Sequence, residues 1–420
     1  MQSFLSFPDR ISAYWMEAFR STLAVFACVV CTLLADDRAL ASEGLPLEPT
    51  RSIEFETSEG TFMSVDVSPD GRSLVFDLLG DIYMVSIEGG EARALTGGMA
   101  FDSHPRFSPD GSSILFVSDR DGASNLWFMD VDGRNPRRLS SQTVSSKSAL
   151  LQTTPAWSPD GRSVISAPFE LFRPQDNLYF TIYTAPDGRS EDLQVEGAPM
   201  SGVSAPAFSP DGRFLYYENL RACARKVGFA FVLPCSQIHV LDRITGHQTQ
   251  LTNREGGGMR PLVSPDGTWL VYASREIADT GLRLRNLKTG EDRWLAFPVD
   301  RDIQDGASFN GTLPASAFTP DSKAFITSIG GKIWRISVPD GNMAEIPFRA
   351  KVKQFLGPIQ LRQRELPDGP VKLRHIRYPR VSPDGTAMTF TAVGKVWIME
   401  IPGGKAHRLT NSGPEVVERY

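Results

Sequence analysis

The chain has 420 residues, of which 41% are hydrophobic and 22% are charged, with a formal net charge of −5 and a pI near 5.7. This composition is ordinary for a globular protein with an ample core. The acidic balance and the lack of any Lys/Arg cluster argue against a nucleic-acid partner.

The first predicted element is an export signal in residues 1–41. An apolar run at 23–35 follows Arg20, and Ala39-Leu40-Ala41 offers small residues for cleavage. Since 13 apolar residues are short for a bilayer span, a cleaved leader is favoured over a permanent anchor. Translation could also begin at Met16, which would give a more conventional leader. We therefore expect a periplasmic or secreted protein with no stable membrane span.

A four-residue turn motif recurs after the leader, six times as Ser-Pro-Asp-Gly and once as Thr319-Pro320-Asp321-Ser322. Proline presets the second position of a type I turn, Asp bonds nearby backbone, and Gly accepts the left-handed fourth position. We therefore interpret the motif's Asp residues as turn formers and not as catalytic groups. They are Asp70, Asp110, Asp160, Asp211, Asp266, Asp321 and Asp384.

Each motif lies between two short apolar runs, and two further turns follow it within the same repeat. Examples are the strand Leu126-Trp127-Phe128 and the turn Asp132-Gly133. Four short strands and three turns form an antiparallel blade, so the fold class is all-β, a β-propeller of four-stranded antiparallel blades, with seven blades. Residues 53–57 alternate apolar and polar and could complete the last blade. The blades begin near Phe62, Pro105, Pro155, Pro206, Pro261, Pro314 and Pro379.

Candidate catalytic residues are scarce. The sequence has no Gly-x-Ser-x-Gly elbow, no phosphate-binding glycine loop and no His-x-His or Cys-rich metal spacing. We expect no catalytic residue and no cofactor. His104 precedes a predicted inner strand and could face the channel, although a hydrogen-bonded loop histidine is favoured. The five histidines are isolated from one another: His104, His239, His247, His375 and His407.

Two smaller features carry weak site hypotheses. Asp300, Asp302 and Asp305 place carboxylates in one loop, which could hold Ca²⁺, but a solvated acidic loop is favoured. Cys223 and Cys235 remain after leader cleavage. In an oxidising compartment they could form a disulfide that closes a loop, and two unpaired thiols are the alternative.

Propellers usually bind through the channel mouth and the longer loops of one face. We therefore expect a protein, peptide or small ligand to bind at these places. The long connections are residues 140–154, 221–236, 298–313 and 349–376, and the last contains a predicted hairpin.

The repeats resemble those of the TolB-type propeller family. Segments such as Gly89–Thr96, Ser118–Trp127 and Gly330–Trp334 more closely resemble the propeller that precedes the catalytic domain of large exported bacterial amidohydrolases. The resemblance covers about residues 53–410 and implies a fold more than a function. We accordingly assign 42–410 to the propeller.

The metal-binding barrel of those amidohydrolases has no counterpart in this sequence. Residues 411–420 look like the truncated lead-in to a further repeat. We expect an exported, non-catalytic propeller that acts as a protein- or ligand-binding scaffold. Two alternatives stay open. The chain could be the propeller portion of a metal-dependent amidohydrolase or peptidase whose catalytic domain is missing or on a separate chain. It could also be an enzyme that uses dispersed channel residues.

Overall fold

A computed structural model describes residues 48–411 and 413, except 143, 146–147, 171–178, 196–201, 220–235, 304–310, 359–368 and 370–372. Over these residues the secondary structure consists of strands, and none of it is a helix that could cross a membrane. The all-β fold class and the four-stranded antiparallel blades are confirmed. Two compact units divide the chain, and the first ends at Pro358.

The first unit begins with β1 (Arg51–Thr57) and continues with six blades. Blade 1 consists of β2 (Val65–Val67), β3 (Ser73–Leu78), β4 (Asp81–Ser86) and β5 (Gly90–Ala94). Blade 2 consists of β6 (Asp102–Phe107), β7 (Ser113–Ser118), β8 (Asn125–Asp130) and β9 (Arg137–Arg138). Blade 3 consists of β10 (Val144–Ser145), β11 (Ser148–Trp157), β12 (Ser163–Glu170), β13 (Tyr179–Thr184) and β14 (Ser190–Gln194).

The remaining blades of this unit repeat the pattern. Blade 4 consists of β15 (Val203–Phe208), β16 (Phe214–Asn219), β17 (Gln237–Asp242) and β18 (Gln248–Gln250). Blade 5 consists of β19 (Met259–Val263), β20 (Trp269–Glu276), β21 (Asp279–Asn286) and β22 (Asp292–Ala296). Blade 6 consists of β23 (Ala317–Phe318), β24 (Ala324–Ile329), β25 (Lys332–Ser337) and β26 (Met343–Ile346), and β27 (Phe348–Leu356) follows it.

The turn motif joins the first two strands of each blade. In blade 1 the Ser68 hydroxyl donates to Asp70 Oδ1 at 2.5 Å, and the Gly71 amide donates to the Ser68 carbonyl oxygen at 2.8 Å. Gly71 has φ +71°, which is why glycine suits this position. The hydrogen bond from Ser68 lowers the pKa of Asp70. The Ser or Thr hydroxyl makes the same bond to Asp110, Asp160, Asp211, Asp266, Asp321 and Asp384.

Apolar side chains fill the space between neighbouring blades. Between blades 1 and 2, Val75 and Ile82 pack with Phe107 and Phe116. A cluster of this kind lies at each of the six junctions, including the one that joins blade 6 to blade 1. Full burial of one such side chain contributes about 1.5–3 kcal/mol, so these clusters are the main source of the ring's stability.

Six blades close the ring. Five of the six turns have a glycine that lies against the proline of the preceding blade's turn, as Gly111 does against Pro69. Gly71 of blade 1 contacts Pro320 of blade 6 in the same way, and the Gly90 amide donates to the Pro347 carbonyl oxygen at 2.8 Å. The predicted count of seven blades is therefore not confirmed, because blade 6 packs directly on blade 1.

Strands β1 and β27 extend the sheet of blade 1. Strand β27 pairs in parallel with β5, and β1 pairs antiparallel with β27 along its whole length. Residues 53–57 were predicted to pair with the last blade. This prediction is wrong, because these residues belong to the sheet of blade 1. Residues 349–356, predicted as part of a long excursion, are strand instead.

The second unit contains the seventh repeat. Its sheet consists of β28 (Arg377–Val381), β29 (Ala387–Ala392), β30 (Lys395–Glu400) and β31 (His407–Arg408). Asp384 and Gly385 form the same turn as in the first unit. Among the described atoms, none lies within 4 Å of a Cβ placed on Gly385, and β28 is exposed throughout. The predicted hairpin at 359–374 falls mostly outside the described residues.

Candidate functional site

The first strands of the six blades surround a cavity of about 520 Å³ along the ring axis. Its mouth is formed by the prolines of the six turns, which we call the proline collar. Their rings present an apolar rim, and the strand residues behind them line a deeper, more polar space. The collar consists of Pro69, Pro109, Pro159, Pro210, Pro265 and Pro320.

A β-bulge interrupts the first strand of four of these blades, just before a proline. His104, Thr154, Ala205 and Arg260 occupy it with φ between +44° and +53°. The bulge releases backbone amides from strand pairing, so these amides require other acceptors.

Buried carboxylates supply two of those acceptors. Asp77 accepts the His104 amide at 2.8 Å and the Ser64 amide at 2.7 Å. Burial raises the pKa of Asp77 to about 6, although these hydrogen bonds oppose the rise. Glu218 accepts the Arg260 amide at 3.4 Å, and burial likewise raises its pKa. Both carboxylates therefore hold the bulges in place.

Arg106 and Arg260 bring positive charge into the cavity. Arg106 Nη1 donates to Ser316 O at 3.0 Å and to Val65 O at 3.4 Å, and it lies 3.4 Å from Asp66 Oδ1. Arg260 Nε donates to Leu313 O at 2.6 Å. Burial and the nearby charge of Arg106 lower the pKa of Arg260 to about 9, so its guanidinium stays protonated at neutral pH.

Residues Gly311–Leu313, which we call the floor segment, lie at the Arg260 end of the cavity. A Cβ on Gly311 would lie 3.1 Å from Arg260 Cζ in blade 5 and 3.2 Å from Thr154 Cγ2 in blade 3. The Thr312 hydroxyl donates to Glu218 Oε2 at 3.1 Å in blade 4. Since it contacts three blades, the floor segment narrows the end of the channel opposite the collar.

The acidic loop has structural roles at two of its three carboxylates. Asp302, fully buried, accepts Arg275 Nε and Nη2 at 2.6 Å each and the Thr280 hydroxyl at 2.6 Å. Asp300 accepts the Gly330 amide at 2.9 Å through both oxygens. Asp305 lies outside the described residues. The guanidinium of Arg275 therefore occupies the Asp302 carboxylate that the calcium hypothesis required.

The other predicted site residues do not converge. His104 is buried, and its Nδ1 lies 3.3 Å from Ser103 Oγ. It is not among the residues that line the cavity. His239 is buried beside Tyr217, with ring centroids 5.7 Å apart. Within the described part of the chain, no group of three His, Cys, Asp or Glu side chains could hold a metal ion. Cys223, Cys235 and the leader lie outside the described residues.

Comparison with known proteins agrees with this architecture. Residues 61–228 match the model of the Tricorn protease N-terminal β-propeller domain. TolB of the Tol-Pal system of Wolinella succinogenes is 25% identical over 205 residues, which are 46% of this chain and 46% of that protein. The chain carries a TolB-type propeller. It resembles the N-terminal propeller of Tricorn protease.

Two further relatives match parts of the chain. An uncharacterised protein of Agrobacterium fabrum is 30% identical over 153 residues, which are 34% of this chain and 50% of that protein. The uncharacterised peptidase YuxL of Bacillus subtilis is 25% identical over 195 residues, which are 46% of this chain and 25% of that protein. The chain thus spans half or less of the length of these curated relatives.

Sequence reasoning missed the charged residues of the TolB-type channel. Neither Arg106 nor Arg260 was predicted to lie in the channel. A signal was present, because the residue before the strand proline recurs in register through the repeats, as His104, Thr154, Ala205 and Arg260. Arg260 is the charged residue at this repeated position, and its difference from the other three residues could have indicated a channel residue.

Proposed function

We propose that this propeller is a non-catalytic binding module that accepts a protein segment or a small ligand through the proline collar. The observation that supports this most directly is the cavity itself. It has an apolar rim, a few convergent polar groups and a narrowed far end, which is the usual composition of a ligand site. Its carboxylates hold backbone amides and a guanidinium, so they serve the structure of the site.

A matched pair of variants tests this function. Pro109→Trp places a large ring in the collar, whereas Pro383→Trp makes the same change in the seventh repeat, whose turn does not line the cavity. Peptides selected from a random display library on the purified chain would be titrated by calorimetry against both variants. We expect Pro109→Trp to weaken binding at least tenfold and Pro383→Trp to leave it unchanged.

Two results would contradict the binding function. One is equal affinity of the selected peptides for both variants, which would place binding elsewhere. The other is cleavage of the bound peptides by the purified chain, detected by mass spectrometry, which would make the channel catalytic.

We further propose that the protein is exported to the periplasm or secreted. The leader predicted in residues 1–41 supports this location. Cell fractionation followed by N-terminal sequencing tests it, and we expect the mature chain to begin at Ser42. A chain that starts at Met1 or Met16 in the cytoplasmic fraction would contradict it.

A second candidate function is that of the propeller portion of a peptidase or amidohydrolase. The match to a protease's propeller domain and the resemblance to a peptidase of Bacillus subtilis favour the peptidase version. The amidohydrolase version rests on the sequence resemblance alone. A downstream reading frame that encodes further repeats and a catalytic domain would support this function, and its absence would count against it.

A further inference from the structure

We propose that the channel anchors its ligand by a carboxylate group, bound side-on by Nε and Nη2 of Arg106. This inference rests on the proposed binding function and names the chemical group that the channel recognises. A peptide C-terminus and a small organic acid are two sources of that group.

The open donors of Arg106 are the first support. All of its hydrogen bonds to described residues, to Val65, Asp66 and Ser316, use Nη1. Within the described part of the chain, Nε and Nη2 therefore have no acceptor, and Arg106 lines the cavity with its side chain 18% exposed. These two groups form the side of the guanidinium that binds a carboxylate through two parallel hydrogen bonds.

The cavity wall near Arg106 is poor in other donors. Four prolines at or just before the first strands of blades 3 to 6 line the cavity, and proline has no N–H; they are Pro155, Pro206, Pro261 and Pro314. Carbonyl oxygens there, such as Leu313 O and Ser316 O, already accept from the arginines. Ser328 also lines the cavity, and its buried hydroxyl has no partner among the described residues. A ligand group with several hydrogen-bond acceptors, such as a carboxylate, matches the donors of Arg106 and Ser328.

The carboxylates around the channel are held by protein donors and do not cover Nε and Nη2 of Arg106. Asp66 shares Nη1 of Arg106, Asp300 accepts the Gly330 amide, and Asp77 and Glu218 accept bulge amides. Arg260 adds a second guanidinium close enough for its charge to be felt by Arg106. The nearby carboxylates balance part of the repulsion between the two guanidiniums, and Nε and Nη2 of Arg106 are the donors that face a ligand.

The depth of the site selects for an elongated ligand that enters with its carboxylate first. Pro109 of the collar lies three residues after Arg106, and Pro265 lies five residues after Arg260. A strand rises about 3.3 Å per residue, so Arg106 lies about 10 Å and Arg260 about 17 Å along the strand from the collar. The floor segment lies against Arg260, which makes the collar the entrance.

The test compares free acids with their amides. The probes are hexanoate and hexanamide, and an N-acetylated tri-alanine peptide as the free acid and as the C-terminal amide, each titrated by calorimetry at constant ionic strength. We expect the wild type to bind at least one acid tenfold or more tightly than its amide. A preference for the peptide acid alone identifies a peptide C-terminus, and a preference for hexanoate alone identifies a small acid.

Variants test whether Arg106 is the source of the preference for acids over amides. Arg106→Gln should reduce the ratio of acid to amide affinity towards one, and Arg134→Gln, whose side chain is 82% exposed, should leave it unchanged. If Arg106→Gln does not fold, Arg106→Lys keeps the charge but loses the two parallel donors, and the ratio should still fall. Equal binding of acids and amides by the wild type, or no binding of either acid, would overturn the inference. If the selected peptides still bind Pro109→Trp more weakly than wild type in that case, the proposed binding function remains supported.

Discussion

The guanidinium of Arg106 in blade 2 donates to the carbonyl oxygen of Ser316 in blade 6 at 3.0 Å. Because the same nitrogen also reaches Val65 O in blade 1, one side chain links the three blades where the ring closes. Closure of the TolB-type propeller therefore depends on polar contacts inside the channel as well as on the apolar junction between blades 6 and 1.

Replacement of Arg106 should weaken the ring. Hydrogen bonds from a charged donor contribute about 1.5–3 kcal/mol, so Arg106→Gln should lower the free energy of unfolding by about that amount. Urea denaturation measures it. Arg134→Gln removes an exposed arginine and should change the free energy by less than about 0.5 kcal/mol. Equal effects of the two variants would contradict a closing role for Arg106.

Asp81 should make stability depend on pH. Burial, and secondly the charge of Asp102, raise its pKa from 3.8 to about 7, and the Gln354 amide donates to its carboxylate at 3.0 Å. The folded state therefore binds this proton more tightly than the unfolded state, and ionisation removes stability as pH rises from about 4 to about 7.

Asp81→Asn removes that titration. Because the Gln354 amide compensates part of the cost of burying the charge, we expect the variant to gain about 1–2 kcal/mol over wild type at pH 8 and to differ least near pH 4. Urea denaturation at both pH values provides the measurement. A difference of the same size at the two pH values would show that Asp81 does not titrate in this range.

Asp302 should be a structural residue that does not respond to calcium. Asp302→Asn removes the carboxylate charge that pairs with the buried Arg275 guanidinium, so it should cost about 3–5 kcal/mol. Asp300→Asn affects one backbone amide and should cost about 1 kcal/mol. Calcium should leave the wild-type Tm unchanged in differential scanning calorimetry, and a rise in Tm that Asp302→Asn abolishes would support the calcium hypothesis.

A side chain at Gly89 should be more destabilising than one at a matched turn glycine, because Gly89 lies at the closure. A Cβ there would come within 2.2 Å of Pro347 O, while one on Gly122 would meet no described atom within 4 Å. Their φ values are nearly equal, +86° and +88°, so backbone strain is matched. We expect Gly122→Ala to cost about 1 kcal/mol and Gly89→Ala about 2–4 kcal/mol in urea denaturation. Similar costs would mean that this contact is not important for closure.

Local structure was predictable wherever the residues that determine it lie within one repeat. The turn at Ser68–Gly71 needs only its own hydroxyl, carboxylate and left-handed glycine, so the motif predicts it in every copy. The apolar runs around each turn predict the strands in the same way. The TolB-type fold followed from both.

The number of blades in the ring was not predictable from these signals. Asp384 and Gly385 form the same turn as Asp70 and Gly71, so the motif does not show which repeats share a ring. That depends on long-range contacts, such as Gly71 against Pro320, which are 249 residues apart in number and leave no local pattern. The channel donors were missed for a similar reason, since Arg106 and Ser316 meet only when the ring closes.

The position of β27 has a mechanical consequence. Because this strand is hydrogen-bonded to β5 on one edge and to β1 on the other, tension applied along the chain at Leu356 acts parallel to the strands. Hydrogen bonds loaded in this shear direction must break together, whereas bonds that are pulled open from one end break one at a time. Force applied along β27 should therefore load its hydrogen bonds to β5 and to β1 at the same time.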